Sequence, residues 1–557
     1  MASNIPPSGE SLRSLPLDST SANHQPPPQP PPTPRRRIIT VALVTCGRIA
    51  PCFGPAVGLF IQRYSERAPP PPSRNDDPET TVATADRSPS TTPTVRIVAY
   101  RHGFRGVLRG DVFEVGPRER AAAALLCGKG GSPIGASRTR LTNREHLLLR
   151  GLIRQDQDPY DVAAAQLIRD RVDVLHIVGS SSAQMTGQRI VERARSSAAV
   201  LNLCGGWRSI RSIGLAKTIE NDMYPIRMTL GAQTAAEQGA QYFENVVPEH
   251  NSNPRMLIIH EIKGRAAGWL TAATAAAYRK RLDAQQFATS LGLSRDVYDV
   301  HAVYVPEMMP PPQPSSSAAA ARALVEGGGG DSSPLTPPAP HRPFDFQSEI
   351  ARLRRCMDRC DNVNIFVAQG TANAQIEAEL RHAGKDIERH PTLGYAVIDT
   401  AEWLANKLKA GLKAEKVLIQ RSGVFVRAAP SGEKDLRLTQ SCVNYAVDVV
   451  LGAVHAALPP SCAFVVGHDE RHASRLGLIE VAALSHKRPF DVTVPWFTQL
   501  LGAIGQPQLN AVTLQPTYHA DLGGTAFFNA STKPSSAASG STAVVAPSKT
   551  MRTTSKL

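Results

Sequence analysis

Short runs of Val, Ile and Leu recur along this chain, and each gives way to a helical stretch. "VDVLHIVG" (172–179), "MLIIHEI" (256–262), "VHAVYVPE" (300–307) and "VNIFVAQG" (363–370) are such runs. "TLGAQTAAEQGAQYFENVV" (229–247) and "TAATAAAYRKRLDAQQFATSLG" (271–292) are two of the helices between them. Continuous apolar runs of this length suit strands buried on both faces. Strands alternating with helices predict mostly parallel sheets covered by helices, an α/β architecture. Ligands of such sheets bind beyond the carboxyl ends of the strands, so the chemistry is sought where each run stops.

The alternating pattern is interrupted. The N-terminal tail (1–37) is rich in Pro and Ser, and inserts at 66–94 and 308–343 and a Ser/Thr/Lys tail at 529–557 share that character. Such compositions cannot bury enough apolar surface to fold, and disorder is expected there. As surface-loop expansions they cost little, because closure entropy grows slowly with loop length. A length of 557 residues otherwise suits two or three compact units.

The net charge of +14 is scattered apart from Arg35–Arg37, with no basic stripe interleaved with aromatics. That argues for a phosphate-handling enzyme or ordinary surface charge over a nucleic-acid binder. The eight cysteines show no disulfide framework and no zinc spacing, so reduced thiols are expected. No apolar run approaches the ~20 residues of a membrane span, and no secretory signal opens the chain. Ser555-Lys556-Leu557 closes the sequence as a receptor-read peroxisomal address. The expectation is import by that receptor into a peroxisome or glycosome, with the cytoplasm as the alternative.

Five strand ends carry unusual residues. "VTCGRIAPCFGPAVGLFI" (44–61) breaks at Gly47 before a helix expected near Pro55, a place where backbone amides can meet phosphate. "GGSPIGASRTRL" (130–141) pairs glycines with Arg138. "KTIEND" (217–222) sets a carboxylate, a candidate general base toward a sugar hydroxyl, close to a lysine able to face phosphoryl oxygens. "KGRAAGWL" (263–270) offers Lys263, Gly264 and Arg265, and "RSGVFVRAAP" (421–430) adds Arg421 and Arg427. Cationic loops converging on an acid suggest phosphoryl transfer, which is mainly positioning and charge stabilisation.

In this order the segments resemble the phosphofructokinases, above all the pyrophosphate-dependent branch with its "PKTIDND" loop. "AKTIEND", "NPRMLIIHEIKGRAAGWLTAATAAAYRKRL", "EKVLIQRSGVFVRAAP", "VGHDE" and "PWFTQLLGAIG" carry the resemblance, which spans 38–65, 95–307 and 344–506. It implies two doubly wound Rossmann-like domains with the site in the cleft between them. The phosphoryl-donor domain is expected at 38–230, completed by 426–480, and the fructose 6-phosphate domain at 231–425, completed by 481–528. The implied reaction is glycolytic, from pyrophosphate to the 1-hydroxyl of fructose 6-phosphate, with Mg²⁺ bridging the donor.

By resemblance Lys217 marks pyrophosphate use and Glu220 stands at the catalytic base. Thr218, Asp222, Lys263, Gly264, Arg265, Gln369 and Arg427 would bind substrate. Gly47, Arg138 and Gly179 would bind the phosphate donor. The sequence also departs from the family. Gly179 is followed by Ser180, Ser181 and Ser182 where the family has "GGDD", so the metal-holding carboxylate is missing and no metal ligand is assigned. Cys46 precedes Gly47 in place of a second glycine, which is expected to put a side chain where backbone should approach phosphate. Glu220 replaces Asp, Gln369 replaces Glu, and Val424 replaces the clamp tyrosine. Two readings stand: an active pyrophosphate-dependent enzyme, and a catalytically inactive regulatory subunit or phosphosugar-binding pseudoenzyme. The expected assembly is a homo-oligomer, or a hetero-oligomer with an active phosphofructokinase subunit.

Overall fold

Two sheets carry the architecture. In the computed structural model, described over residues 38–68, 93–196, 210–309, 345–390, 396–452, 461–485 and 488–507, eleven strands are assigned to them. They are β1 (Ile38–Thr45), β2 (Thr94–Tyr100), β3 (Val112–Glu114), β4 (Val174–Gly179), β5 (Arg211–Ala216), β6 (Met256–Ile262), β7 (Ala302–Tyr304), β8 (Asn362–Ala368), β9 (Lys416–Arg421), β10 (Ala463–Asp469) and β11 (Arg475–Glu480).

The larger sheet runs β11-β10-β5-β4-β1-β2-β3, parallel within and closed by antiparallel strands at both edges. The smaller runs β7-β8-β6-β9 and is parallel throughout. The chain leaves β1 toward β2 and returns on its other side as β4, so the order reverses between β1 and β4. It reverses again between β6 and β9. Both reversals open a crevice at carboxyl strand ends. Four of the five singled-out loops follow β1, β5, β6 and β9, whereas 130–141, expected at a strand end, follows the 3₁₀ helix Ala123–Gly128.

Every residue of β4, β6 and β8 is buried, the signature of parallel strands covered on both faces. The helices Ala232–Val246 and Trp269–Leu282 pack closely, because Gly239 presents no Cβ where one would stand 2.9 Å from the Thr274 methyl. Phe243, from the first of them, stacks on His260 with centroids 5.4 Å apart and meets Phe366 edge-on at 4.6 Å. This contact joins the helix to β6 and β8 through well-formed aromatic pairs.

Some boundaries shift from the sequence expectation. The first helix starts at Phe53 and ends at Arg67, so Glu66 and Arg67 are helical and the insert begins later. Thr94 opens β2, and Met308 is buried in a short 3₁₀ turn, so both expected inserts are narrower than the composition suggested. The apolar face of Tyr64 and Met308 against the core overrides the polar composition beside it. The tails 1–37 and 529–557, the Ser-Lys-Leu terminus and Cys204 lie outside the described residues. Among the described residues the other cysteines are free, as expected, and Cys356 and Cys360 share one buried face of the helix Phe346–Cys360. No helix among them is long and apolar enough to cross a membrane.

Candidate active site

The loop after β5 is built to hold its side chains still. Leu230 N–H bonds the Ala216 carbonyl at 2.9 Å, closing residues 217–229 into a returning loop. Inside it Asn221 adopts φ of +50°, a left-handed conformation that asparagine tolerates. Its Oδ1 accepts from Thr229 N–H at 2.9 Å, and the Thr229 hydroxyl donates to the Thr218 carbonyl at 2.7 Å. Thr218 Oγ1 accepts from Glu220 N–H at 3.1 Å, which leaves its hydroxyl proton for a ligand. This network fixes where Lys217, Glu220 and Asp222 project.

Lys217 is buried and donates from Nζ to the Arg48 carbonyl at 3.0 Å. The ammonium lies 4.9 Å from the centroid of Phe53. A Cβ at Gly47 would stand 3.2 Å from that Nζ, and Gly47 has φ of +95°, so glycine is required on both counts. Burial pulls the Lys217 pKa below its ordinary value, and the Asp222 and Glu220 carboxyls oppose it.

Glu220 keeps some solvent-accessible surface, yet protein surrounds it deeply enough for burial to raise its pKa to about 7, aided by Asp222. Arg265, Lys263 and Arg48 pull it back down, which places all three cations in its field. A carboxyl poised near neutrality is a suitable general base or acid. Lys263 arrives from β6 through a gap kept by Gly423, whose absent Cβ would meet the lysine Cε at 2.7 Å, and it donates to Gln369 Oε1 at 3.2 Å. Gly264 has φ of +148°, with the Ala267 carbonyl 2.5 Å from where a Cβ would be. This sharp turn delivers Arg265 beside Gly370, whose missing side chain admits the Arg265 carbonyl.

On the β1 side a cavity of about 360 Å³ is lined by Gly47, Arg48, Ile49, Ala136, Ser137, Arg138 and Arg427, so Arg427, expected among the fructose 6-phosphate residues, stands instead with Gly47 and Arg138. Burial, then Arg48 and Arg138, depress the Arg427 guanidinium, while Glu220 supports it. Arg427 Nε is buried with no hydrogen-bond partner among the described residues. Like charges gathered around an open volume suit an anion whose oxygens can accept forked guanidinium bonds. Gly130 brings the glycine pair onto this site, since its absent Cβ would lie 1.9 Å from the Ala428 carbonyl.

The comparisons with known proteins follow from this geometry. Residues 82–284 match the phosphofructokinase family profile. Over 474 residues the chain is 39% identical to the pyrophosphate–fructose 6-phosphate 1-phosphotransferase of Methylotuvimicrobium alcaliphilum, covering 84% of this chain and 96% of that protein. The protein of the same name from Mastigamoeba balamuthi is 38% identical over 472 residues, 84% and 97% of the two chains. The chain belongs to the phosphofructokinase family. Its solved relatives share the fold. The pyrophosphate-dependent phosphofructokinase of Nitrosospira multiformis aligns with a TM-score of 0.52 at 13% identity, over 87% of this chain and 95% of that one. That of Marinobacter aquaeolei gives 0.50 at 14%, over 84% and 92%.

Against that family pattern, the structure corrects two expectations, at Cys46 and at Gly179. Cys46 does not intrude on the cavity beside Gly47. It continues the face of Ala42 and Val44 into the interior, where its side chain packs against Gly179 and Gly103. The alternation of β1 decides this direction, and burial raises the thiol pKa to about 12, leaving it an inert core residue. Gly179 is the other half of that contact: a Cβ there would meet Ala183 at 2.7 Å and Cys46 at 3.2 Å. Its backbone carbonyl accepts from Lys217 N–H at 3.0 Å, and it does not line the donor cavity. Arg421 is spent on Asp399 at 2.8 Å and Glu261 at 3.4 Å. Arg48 was not singled out from sequence, yet it touches Lys217, Glu220 and Arg427 by contact or field; its only signal was a position one residue beyond the strand-end glycine.

The magnesium that the family implies does not fit the end of β4. Ser181 and Ser182 form the first turn of the helix Ser181–Ser196, Ser180 Oγ bonds Ser182 Oγ at 3.1 Å, and the oxygens offered are neutral hydroxyls. A hard dication takes one or two carboxylates there. Among the described residues no three His, Cys, Asp or Glu side chains converge on a common point.

Proposed function

We propose that this chain transfers a phosphoryl group from pyrophosphate to the 1-hydroxyl of fructose 6-phosphate. The observation that carries this reading is Glu220, raised to about 7 by burial and held in the field of Arg48, Lys263 and Arg265. Glu220 Oε takes the hydroxyl proton. The sugar oxygen then bonds to the terminal phosphorus as the bridging P–O bond breaks, and the electron pair leaves on inorganic phosphate. Lys217, Arg48, Arg138 and Arg427 take up the charge on the donor side, a role for preorganised cations. Lys263 and Arg265 face the sugar phosphate, with Gln369 orienting the Lys263 ammonium. No step is routed through a metal, because the β4 end does not supply its ligands.

The relatives named for this reaction support the substrates, and Lys217 supports pyrophosphate as the donor. The test is formation of fructose 1,6-bisphosphate by the purified full-length chain with pyrophosphate or ATP. Turnover with pyrophosphate that disappears in Glu220→Ala supports the reading, and no turnover from a folded chain rejects it.

A second reading is favoured by the Ser180–Ser182 turn: a subunit that binds fructose 6-phosphate without reacting it and regulates an active partner. Val424 and Phe425, 68% and 44% exposed beside Arg427, offer an apolar rim for a subunit contact. Thermal stabilisation by fructose 6-phosphate in a chain without turnover separates this from the first reading.

A further inference from the structure

Next to the donor cavity lies a larger one, of about 590 Å³, that the proposed reaction does not use. Its lining is strongly cationic. Arg105 and Arg109 come from the short helix Phe104–Arg109, Arg138 and Arg140 from the loop after the glycine pair, and His146 and Arg150 from the helix Arg144–Leu149 and its cap. No carboxylate lines it, and among its lining residues the one ring is the His146 imidazole. Among the described residues none of the five arginines is within salt-bridge distance of an acid, whereas the neighbouring Arg101 is paired with Asp111 at 3.0 Å. Five uncompensated guanidinium groups around one recess repel one another, and a bound polyanion relieves that repulsion.

The position identifies the polyanion. Ser137 and Arg138 line both cavities, so the two are contiguous. A ligand that begins against Gly47 reaches the second cavity past Arg138. Pyrophosphate, with two phosphoryl groups, is served by the smaller volume alone. In the larger one five guanidinium groups stand against one imidazole, His146, and one apolar side chain, Leu152, so the lining favours charge over base stacking. A linear chain of phosphoryl groups is matched along its whole length.

We propose that the arginine-lined cavity is a subsite for a condensed phosphate longer than pyrophosphate, bound with one end in the donor cavity. The proposal rests on the assignment of the donor to the Gly47 side and deepens it.

The experiment measures binding of tripolyphosphate, pyrophosphate and ATP to the full-length chain by calorimetry at constant ionic strength, with sulfate as the control anion. Tripolyphosphate is expected to bind roughly tenfold tighter than pyrophosphate or better, since each charge-assisted contact is worth a factor of that order. In R109A/R150A, which alters two exposed arginines outside the donor cavity, that advantage disappears and pyrophosphate binding stays unchanged. Equal affinity for the two phosphates in the parent chain overturns the proposal, as does a double variant that keeps the tripolyphosphate advantage. ATP binding tighter than tripolyphosphate also overturns it, because a nucleoside is then recognised. The donor assignment is read separately through Arg427→Ala, which is expected to weaken pyrophosphate. Unchanged pyrophosphate binding in that variant, beside a tripolyphosphate advantage that still depends on Arg109 and Arg150, rejects the donor assignment and leaves the arginine subsite standing.

Discussion

The Lys217 ammonium donates to the Arg48 carbonyl at 3.0 Å, so the end of β5 is tied to the loop after β1. That single bond sets a buried cation directly behind Gly47, which lines the proposed donor cavity. The Phe53 ring and Gly47 backbone leave it no other direction. Replacing Lys217 by Met keeps the shape of the stem and removes the charge. Pyrophosphate affinity is expected to fall by about 10- to 100-fold, the loss of one charged hydrogen bond, while stabilisation by fructose 6-phosphate stays. Calorimetry with both ligands checks this, and an equal loss of both would mean that the loop, rather than the charge, had been damaged.

Glu220 carries a pH dependence of definite sign. Its folded pKa is raised, to about 7, above the ordinary carboxyl range. In the proposed reaction the base works only when ionised, so kcat/KM is expected to rise with pH through about 7 and level above it. Stability moves the other way: a raised carboxyl pKa favours folding fully at acid pH, and that contribution is lost as pH climbs from about 4.5 through 7. Glu220→Gln is therefore expected to abolish turnover and to stabilise the chain at pH 8 by ~1–3 kcal/mol. Chemical denaturation at pH 5 and pH 8 checks it. A variant no more stable than the parent at pH 8 rules out the ionisation cost at this position.

Much of this was legible in the sequence because parallel strands are nearly continuous apolar runs, and the loops at their ends stand out against them. β4, β6, β7 and β8 and the loops around Lys217 and Lys263 fell where the runs stopped. What was not legible depends on contacts distant in sequence. Gly130 matters because Ala428 lies against it, and Gly423 because Lys263 threads past it. Arg48 is one of 62 basic residues and has no local mark of function. The inward turn of Cys46 was the one local property that the strand alternation already contained, since it extends the face of Ala42 and Val44.

The serines after β4 differ in what a carboxylate would meet. Ser182 is exposed and Ser181 is 5% exposed in the first turn of the helix Ser181–Ser196. An acid in a first helical turn is favoured by the dipole by about 0.3–1 kcal/mol. Ser182→Asp should therefore be neutral or slightly stabilising without metal. Ser181→Asp buries a charge and should lower Tm unless Mg²⁺ is present. Thermal melts of both variants with and without Mg²⁺ measure this. Destabilisation of Ser181→Asp that Mg²⁺ does not relieve would show that carboxylates alone do not rebuild a metal site here.

Three buried histidines set the acid limit of the fold. Burial holds His176 and His301 near 4 and His260 near 3, all below the ordinary imidazole value. His176 sits between the Tyr64 hydroxyl at 2.7 Å and the Ile213 carbonyl at 2.8 Å, and His260 bonds Ser422 Oγ at 2.9 Å while stacked on Phe243. Each is neutral in the folded chain. A depressed folded pKa means that the unfolded chain binds the proton first, so the stability they contribute is present above about 6.5 and is lost as pH falls toward 4 and then 3. Each is expected to cost a few kcal/mol once unfolding is coupled to its protonation. Denaturant unfolding from pH 7 to pH 4 should show that decline. His260→Gln, which cannot take up a proton there, should be less stable than the parent at pH 7 and lose less on acidification. If the variant and the parent decline in parallel, His260 is not among the groups that set the acid limit.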